Sequence, residues 1–122
     1  MRKRSRIVAA ALAATGLTLA VVPAQAGSPK KAKRIVEVLD YYFTPPKMTV
    51  KKDTTVVWRW PAAGGDSHDV VLRKGPRGAK KFASDIYSAD ESFPQKLSVP
   101  GTYRIVCTLH EDEMHQTIVV TR

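Results

Sequence analysis

From Ile35 onward the apolar residues of this chain recur with a period of two, not 3.6, and turn residues interrupt them about every ten positions. Successive side chains on a strand point to opposite faces, so this pattern lets each segment bury one face and wet the other. Thr54–Trp60 shows it most clearly, with Val56, Trp58 and Trp60 on one face and Val57 and Arg59 on the other. Ile35–Leu39, Met48–Val50, His68–Leu72, Phe93–Val99, Thr102–Cys107 and Gln116–Val120 read as further short strands. Thr44-Pro45-Pro46, Lys51-Lys52-Asp53, Pro61 with Gly64-Gly65, and Pro100-Gly101 separate them. Arg73–Lys81, carrying Gly75, Pro76 and Gly78, is a polar excursion, and Ser84–Glu91 has room for a helical turn. No segment carries a convincing amphipathic helix. The expected fold is an all-β Greek-key sandwich of about seven to eight strands.

The first residues obey a different rule. Arg2, Lys3, Arg4 and Arg6 precede an apolar run from Ile7 to Val22, and Ala24-Gln25-Ala26 places small residues where a signal peptidase reads them. The run is shorter than the ~20 apolar residues of a membrane span and ends in Pro23. Met1–Ala26 is therefore expected to be a signal peptide, and export to a periplasm or the cell exterior follows. No integral membrane segment is expected after cleavage. Gly27–Arg34 is a basic, small-residue stretch that reads as a flexible tail, which leaves 35–122 as one domain. The formal charge is +9; four positive charges and no acid lie in Met1–Ala26, so the remainder carries +5. A moderately basic body calls for no nucleic-acid partner.

Export makes the single cysteine informative, because an oxidising compartment tends to pair thiols and Cys107 has no partner in the chain. It is an inert buried residue, an intermolecular link or a ligand, and its neighbours bear on the choice. Alternation puts Tyr103, Ile105 and Cys107 on one face at the end of a strand. His110 follows three residues later and Met114 four after that, in a loop that must turn before Gln116–Val120. Such a loop can bring a thiolate, an imidazole and a thioether to one point. A second imidazole is available from His68, far upstream beyond Gly64-Gly65. The third histidine, His115, adjoins Met114. Soft sulfur with imidazole suits copper in both oxidation states, and two His, one Cys and a weak axial Met form a type 1 (blue) site. Structural zinc competes, but it normally takes four Cys or His ligands, and this chain has one Cys.

The chain resembles the plastocyanin, pseudoazurin and amicyanin branch of the cupredoxins. The resemblance rests on Tyr42-Phe43-Thr44-Pro45, Met48–Lys52, Thr54–Trp58, Ser67-His68-Asp69-Val70, Ser92-Phe93, Pro100–Tyr103 and Cys107-Thr108-Leu109-His110. It implies an eight-stranded Greek-key sandwich, one copper bound equatorially by His68, Cys107 and His110, and an axial Met, here Met114. It also implies single-electron transfer between larger redox partners. Three departures stand out. Asp69 occupies the position after the first ligand where the family usually has Asn, and is expected to reach across to Thr108 and tie the two ligand loops together. Glu111-Asp112-Glu113 replaces the usual Pro or Gly after the second His. The His-to-Met spacing falls between the family's shorter and longer loops, which leaves Met114 and His115 to be distinguished.

No nucleophilic triad and no glycine-rich phosphate loop is visible, so no enzyme is expected. The reading is a monomeric, exported electron carrier whose partner docks near His110, with Glu111, Asp112 and Glu113 beside it. A copper storage or delivery protein is the alternative.

Overall fold

The computed structural model describes residues 11, 13–21 and 31–122. Most of the expected leader, and residues 27–30 of the basic segment, lie outside the described residues. Among the described residues there is no helix, so none is long and apolar enough to cross a membrane.

Eight strands run β1 Lys33–Leu39, β2 Tyr42–Thr44, β3 Lys47–Lys51, β4 Thr54–Trp60, β5 Val71–Lys74, β6 Glu91–Leu97, β7 Gly101–Val106 and β8 His115–Thr121. They form two four-stranded sheets, ordered β2-β1-β4-β6 and β3-β8-β7-β5. Both sheets are mixed: β1 runs parallel to β4 and β3 parallel to β8, and the other pairs are antiparallel. The all-β sandwich expected from the alternation is therefore what forms.

The inner faces are filled by the residues whose alternation marks the strands. Val36 and Val38 of β1, Val56, Trp58 and Trp60 of β4, Tyr103 and Ile105 of β7, and Ile118 and Val120 of β8 are all buried. Each such side chain contributes about 1.5–3 kcal/mol through removal from water. One polar tie joins the two sheets and a second fastens β7 to the turn before it. Gln116, fully enclosed, accepts from Trp58 Nε1 at 2.9 Å and donates to the Pro45 carbonyl at 2.7 Å. The Tyr103 hydroxyl donates to the Val99 carbonyl at 2.7 Å, so neither buried group is left unmatched.

Three local features differ from the sequence reading, two as corrections and one as a strand not anticipated. The strand expected over His68–Leu72 begins at Val71, because the ladder with β7 starts at the Val71–Val106 pair; His68 makes only an isolated bridge to Tyr87. Ser84–Glu91 holds no helical turn: Tyr87 bridges to His68, as Ala83 just before the segment bridges to Val71, and Ser88–Asp90 then bend into β6. The third is β2, which follows β1 after only Asp40 and Tyr41 and pairs with it antiparallel, so that Asp40-Tyr41 is a two-residue hairpin turn.

The strand directions gather one set of chain ends. The C-terminal ends of β1 and β7 and the N-terminal ends of β5 and β8 meet at the same pole, through Val71 opposite Val106 and Val106 opposite His115. The Asp40-Tyr41 turn, the segment before β5 and the β7–β8 loop all lie there.

Candidate metal centre

Cys107 is the first residue past β7, and alternation from Tyr103 and Ile105 turns it into the core, where it is fully buried. The loop that follows is held by its own backbone. His110 N–H donates to the Cys107 carbonyl at 3.2 Å, Glu113 and Met114 N–H donate to the His110 carbonyl at 3.1 and 2.8 Å, and Cys107 N–H donates to the Met114 carbonyl at 3.0 Å. The last bond closes the loop, so the Met114 backbone sits beside that of Cys107. Met114 is fully buried, whereas His115, the first residue of β8, is exposed.

His68 comes from the β4–β5 connection. Reciprocal backbone bonds with Tyr87, at 2.9 and 3.0 Å, fix its main chain, and its side chain is almost wholly buried. Its Nδ1 lies 3.8 Å from Cys107 Sγ, and His110 Nδ1 lies 3.7 Å from the same sulfur. One donor atom from each of His68, Cys107 and His110 falls within 4.8 Å of the others, and no other such cluster of three exists among the described residues. His110 is half-buried, so the centre is closed except at one imidazole edge. The donor set is two imidazoles and a free thiol with a buried thioether residue alongside, the combination that suits copper and offers too few hard or paired ligands for structural zinc.

The loops that carry these residues are fastened to each other. Asp69, buried, accepts from Thr108 N–H at 2.7 Å and from the Thr108 hydroxyl at 2.5 Å. The residue after His68 thus grips the residue after Cys107, as the family resemblance implies. Burial pushes the Cys107 thiol above its usual range, and the Asp69 charge adds to this; the amides of Asp69 and Leu109 pull the other way.

Sequence reasoning missed a third element at this pole. Asp40 Oδ1 lies 2.9 Å from His68 Nε2 and accepts from Asp66 N–H at 2.8 Å. The His68 bond first, and the Asp66 amide second, hold the Asp40 carboxyl below the ordinary carboxylate range. The Tyr41 ring meets the His110 ring edge-on at 4.9 Å and that of His68 at 6.1 Å, and its hydroxyl donates to the Asp66 carboxylate. Glu111, Asp112 and Glu113 are exposed, as expected of an acidic loop, but Arg73 pairs with Glu111 at 2.5 Å.

The family model for copper binding proteins of the plastocyanin/azurin family matches residues 31–121. Amicyanin-alpha of Methylorubrum extorquens is 29% identical over 102 residues, 84% of this chain and 80% of that protein. Among solved structures, a Sinorhizobium pseudoazurin superposes with a TM-score of 0.63 at 27% identity, over 75% of each chain. An amicyanin from Paracoccus versutus does so with a TM-score of 0.60 at 25% identity, over 79% of this chain and 87% of that one.

Proposed function

The chain belongs to the plastocyanin/azurin family of copper-binding proteins, and on that premise we propose that it is an exported carrier of single electrons with one type 1 copper. The observation that carries this reading is the convergence of His68 Nδ1, Cys107 Sγ and His110 Nδ1 within 4.8 Å at a buried pole. In this reading His68, Cys107 and His110 would hold the copper, with Met114 as a weaker fourth donor. The full burial of Met114 and the outward position of His115 favour that choice. Copper held there would supply one-electron chemistry by cycling between its two oxidation states.

The protein's part is to hold its donors still and dry. Cys107 and His68 are fixed by backbone bonds on both sides and by the Asp69–Thr108 clasp, so little rearrangement accompanies a change of metal charge. Burial keeps the thiolate from oxidants and solvent. The half-buried edge of His110 is the route by which a redox partner reaches the centre. The exposed Leu109 and Tyr41 flank that edge, and Glu111, Asp112 and Glu113 border it with charge. Arg73 compensates Glu111, so Asp112 and Glu113 carry most of the local negative field toward a basic partner face.

Export rests on the residue pattern of Met1–Ala26, and secreted protein is expected to begin at Gly27, which intact mass measures. A retained N-terminus in membrane fractions would mean an anchor instead.

Carrier and copper-handling roles separate in one experiment. The mature protein loaded with Cu(II) is reduced and reoxidised through repeated cycles in the presence of a Cu(I) chelator. A carrier keeps its copper and returns to the same spectrum each cycle. Loss of the metal on first reduction would assign storage or delivery.

A further inference from the structure

The Asp40-Tyr41 turn stands in an arrangement that strand pairing alone does not call for. The two residues close the β1–β2 hairpin, and Tyr41 adopts φ 70°, a left-handed conformation that bulky residues rarely take and that such turns usually give to Gly or Asn. Strain of this kind persists where surrounding contacts hold it, and it clusters at functional positions. Here the holding contacts are the Tyr41 hydroxyl on the Asp66 carboxylate and the Tyr41 ring against both imidazoles. Their consequence is to set the preceding carboxylate, Asp40, against His68 Nε2.

Gly65 makes room for it. A Cβ built on Gly65 would fall 2.5 Å from Asp40 Oδ1 and 2.9 Å from Oδ2. Gly65 has no positive φ, so its lack of a side chain answers to this close approach and not to backbone freedom. Two segments distant in sequence thus meet at one oxygen: the turn at 40 supplies it, and the 65–68 stretch brings Gly65, the Asp66 amide and His68 Nε2 up to it.

We infer that Asp40 is a positioning residue for the metal centre, fixing the tautomer and orientation of His68 from outside the ligand set. An imidazole has one protonated and one free ring nitrogen when neutral. A carboxylate oxygen at 2.9 Å places the proton on Nε2, which leaves the Nδ1 lone pair facing the Cys107 sulfur and His110. A carboxylate on the outer nitrogen also raises the ligand's basicity and resists its rotation. The Asp69–Thr108 clasp joins loop to loop; Asp40 acts on the ring itself.

The assignment rests on His68 being a copper ligand, and its test has a readout that needs no copper. In metal-free protein, at a pH where the His68 ring is neutral, its 15N chemical shifts are expected to show Nε2 protonated and Nδ1 bare. The converse tautomer would overturn the inference. With Cu(II) bound, Asp40→Ala is expected to weaken affinity by about 10–100-fold, the range for losing an outer partner of a ligating His. Asp40→Asn, which keeps an acceptor oxygen, should recover most of the loss. Gly65→Ala touches no ligand and should shift the His68 ring signals and lower affinity in the same direction. If Asp40→Ala does not fold, Gly65→Ala and the wild-type tautomer still decide between the same two outcomes. A wild type that develops the blue band while Asp40→Ala and Gly65→Ala bind copper within about twofold of it would remove Asp40's role and leave the copper reading standing. A wild type with no band would remove the copper reading, and the ring shifts would still decide the tautomer.

Discussion

Removing the Thr108 hydroxyl tests whether the two ligand loops are fastened before any metal arrives. Thr108→Val keeps the shape and β-branching of the side chain and keeps the amide that donates to Asp69 at 2.7 Å. It deletes the hydroxyl that donates to the same carboxylate at 2.5 Å. Asp69 is buried, so the lost partner is not freely replaced by water. A hydrogen bond to a charged group contributes about 1.5–3 kcal/mol, and the exposure of Thr108 puts this one at the lower end, about 1.5 kcal/mol. For a domain of about 90 residues each kcal/mol moves the melting temperature by ~4–8 °C, so a fall of roughly 6–12 °C is expected in metal-free protein. Denaturant unfolding of wild type, Thr108→Val, Asp69→Asn and the double variant closes a cycle. Asparagine is neutral and would offer the hydroxyl an ordinary bond at best, about 0.5–1.5 kcal/mol, so Thr108→Val should cost less on the Asp69→Asn background. A cost below about 0.5 kcal/mol in the wild-type background would mean that the hydroxyl half of the clasp contributes nothing, and the stabilising role given to that bond would fail with it.

Met114→Leu should keep the colour of the Cu(II) protein and raise its reduction potential, because a weak donor that favours Cu(II) is removed, whereas His115→Ala should leave spectrum and potential unchanged; the reverse pattern would make His115 the axial residue. Electron exchange with a cationic small redox reagent should outpace that with an anionic one at low salt, and the preference should shrink as the screening length falls to ~10 Å near 0.1 M. Asp112→Asn/Glu113→Gln should weaken that preference, and Arg73→Gln, which frees Glu111 from its ion pair, should strengthen it; rates indifferent to all three substitutions would show that the basic body sets the field. Gln116→Leu should cost about 1–3 kcal/mol in chemical denaturation, since it leaves Trp58 Nε1 and the Pro45 carbonyl without their shared partner, and an unchanged midpoint would refute the role given to that tie.

Sequence reading reached furthest where local pattern and tertiary demand coincide. Thr54–Trp60 alternates and lies between two strands, so its bounds read directly from the residues, and the inward face of Tyr103, Ile105 and Cys107 follows from the same rule. The grouping of His68, Cys107 and His110 was legible because two of the three share a short loop and few histidines were available for the remaining place. The hairpin at Asp40-Tyr41 was not, since its turn carries a tyrosine where turn chemistry favours glycine or asparagine. The start of β5 was misplaced because pairing with β7, not the apolar run from Val70, sets where the ladder begins. Ser84–Glu91 lacks apolar alternation, and its course is set by the Tyr87 bridge to His68, and by that of neighbouring Ala83 to Val71, which no local signal announces. Asp40 bonds a ring 28 positions away, and Arg73 pairs with Glu111 across the pole; a single sequence carries no trace of either.

The central claim is that two imidazoles and one thiolate of this chain hold copper in a trigonal site, and one absorption spectrum addresses it. Mature protein is titrated with Cu(II) to one equivalent, beside Cys107→Ser protein at the same concentration. A thiolate in such a site gives an intense visible charge-transfer band, so wild type should turn blue and saturate at one copper per chain. Cys107→Ser should show no such band while keeping the far-ultraviolet signature of the sandwich, since the core around Trp58, Tyr103 and Ile118 does not depend on the sulfur. A colourless wild type at one equivalent of Cu(II), or a band that survives Cys107→Ser, would contradict the claim.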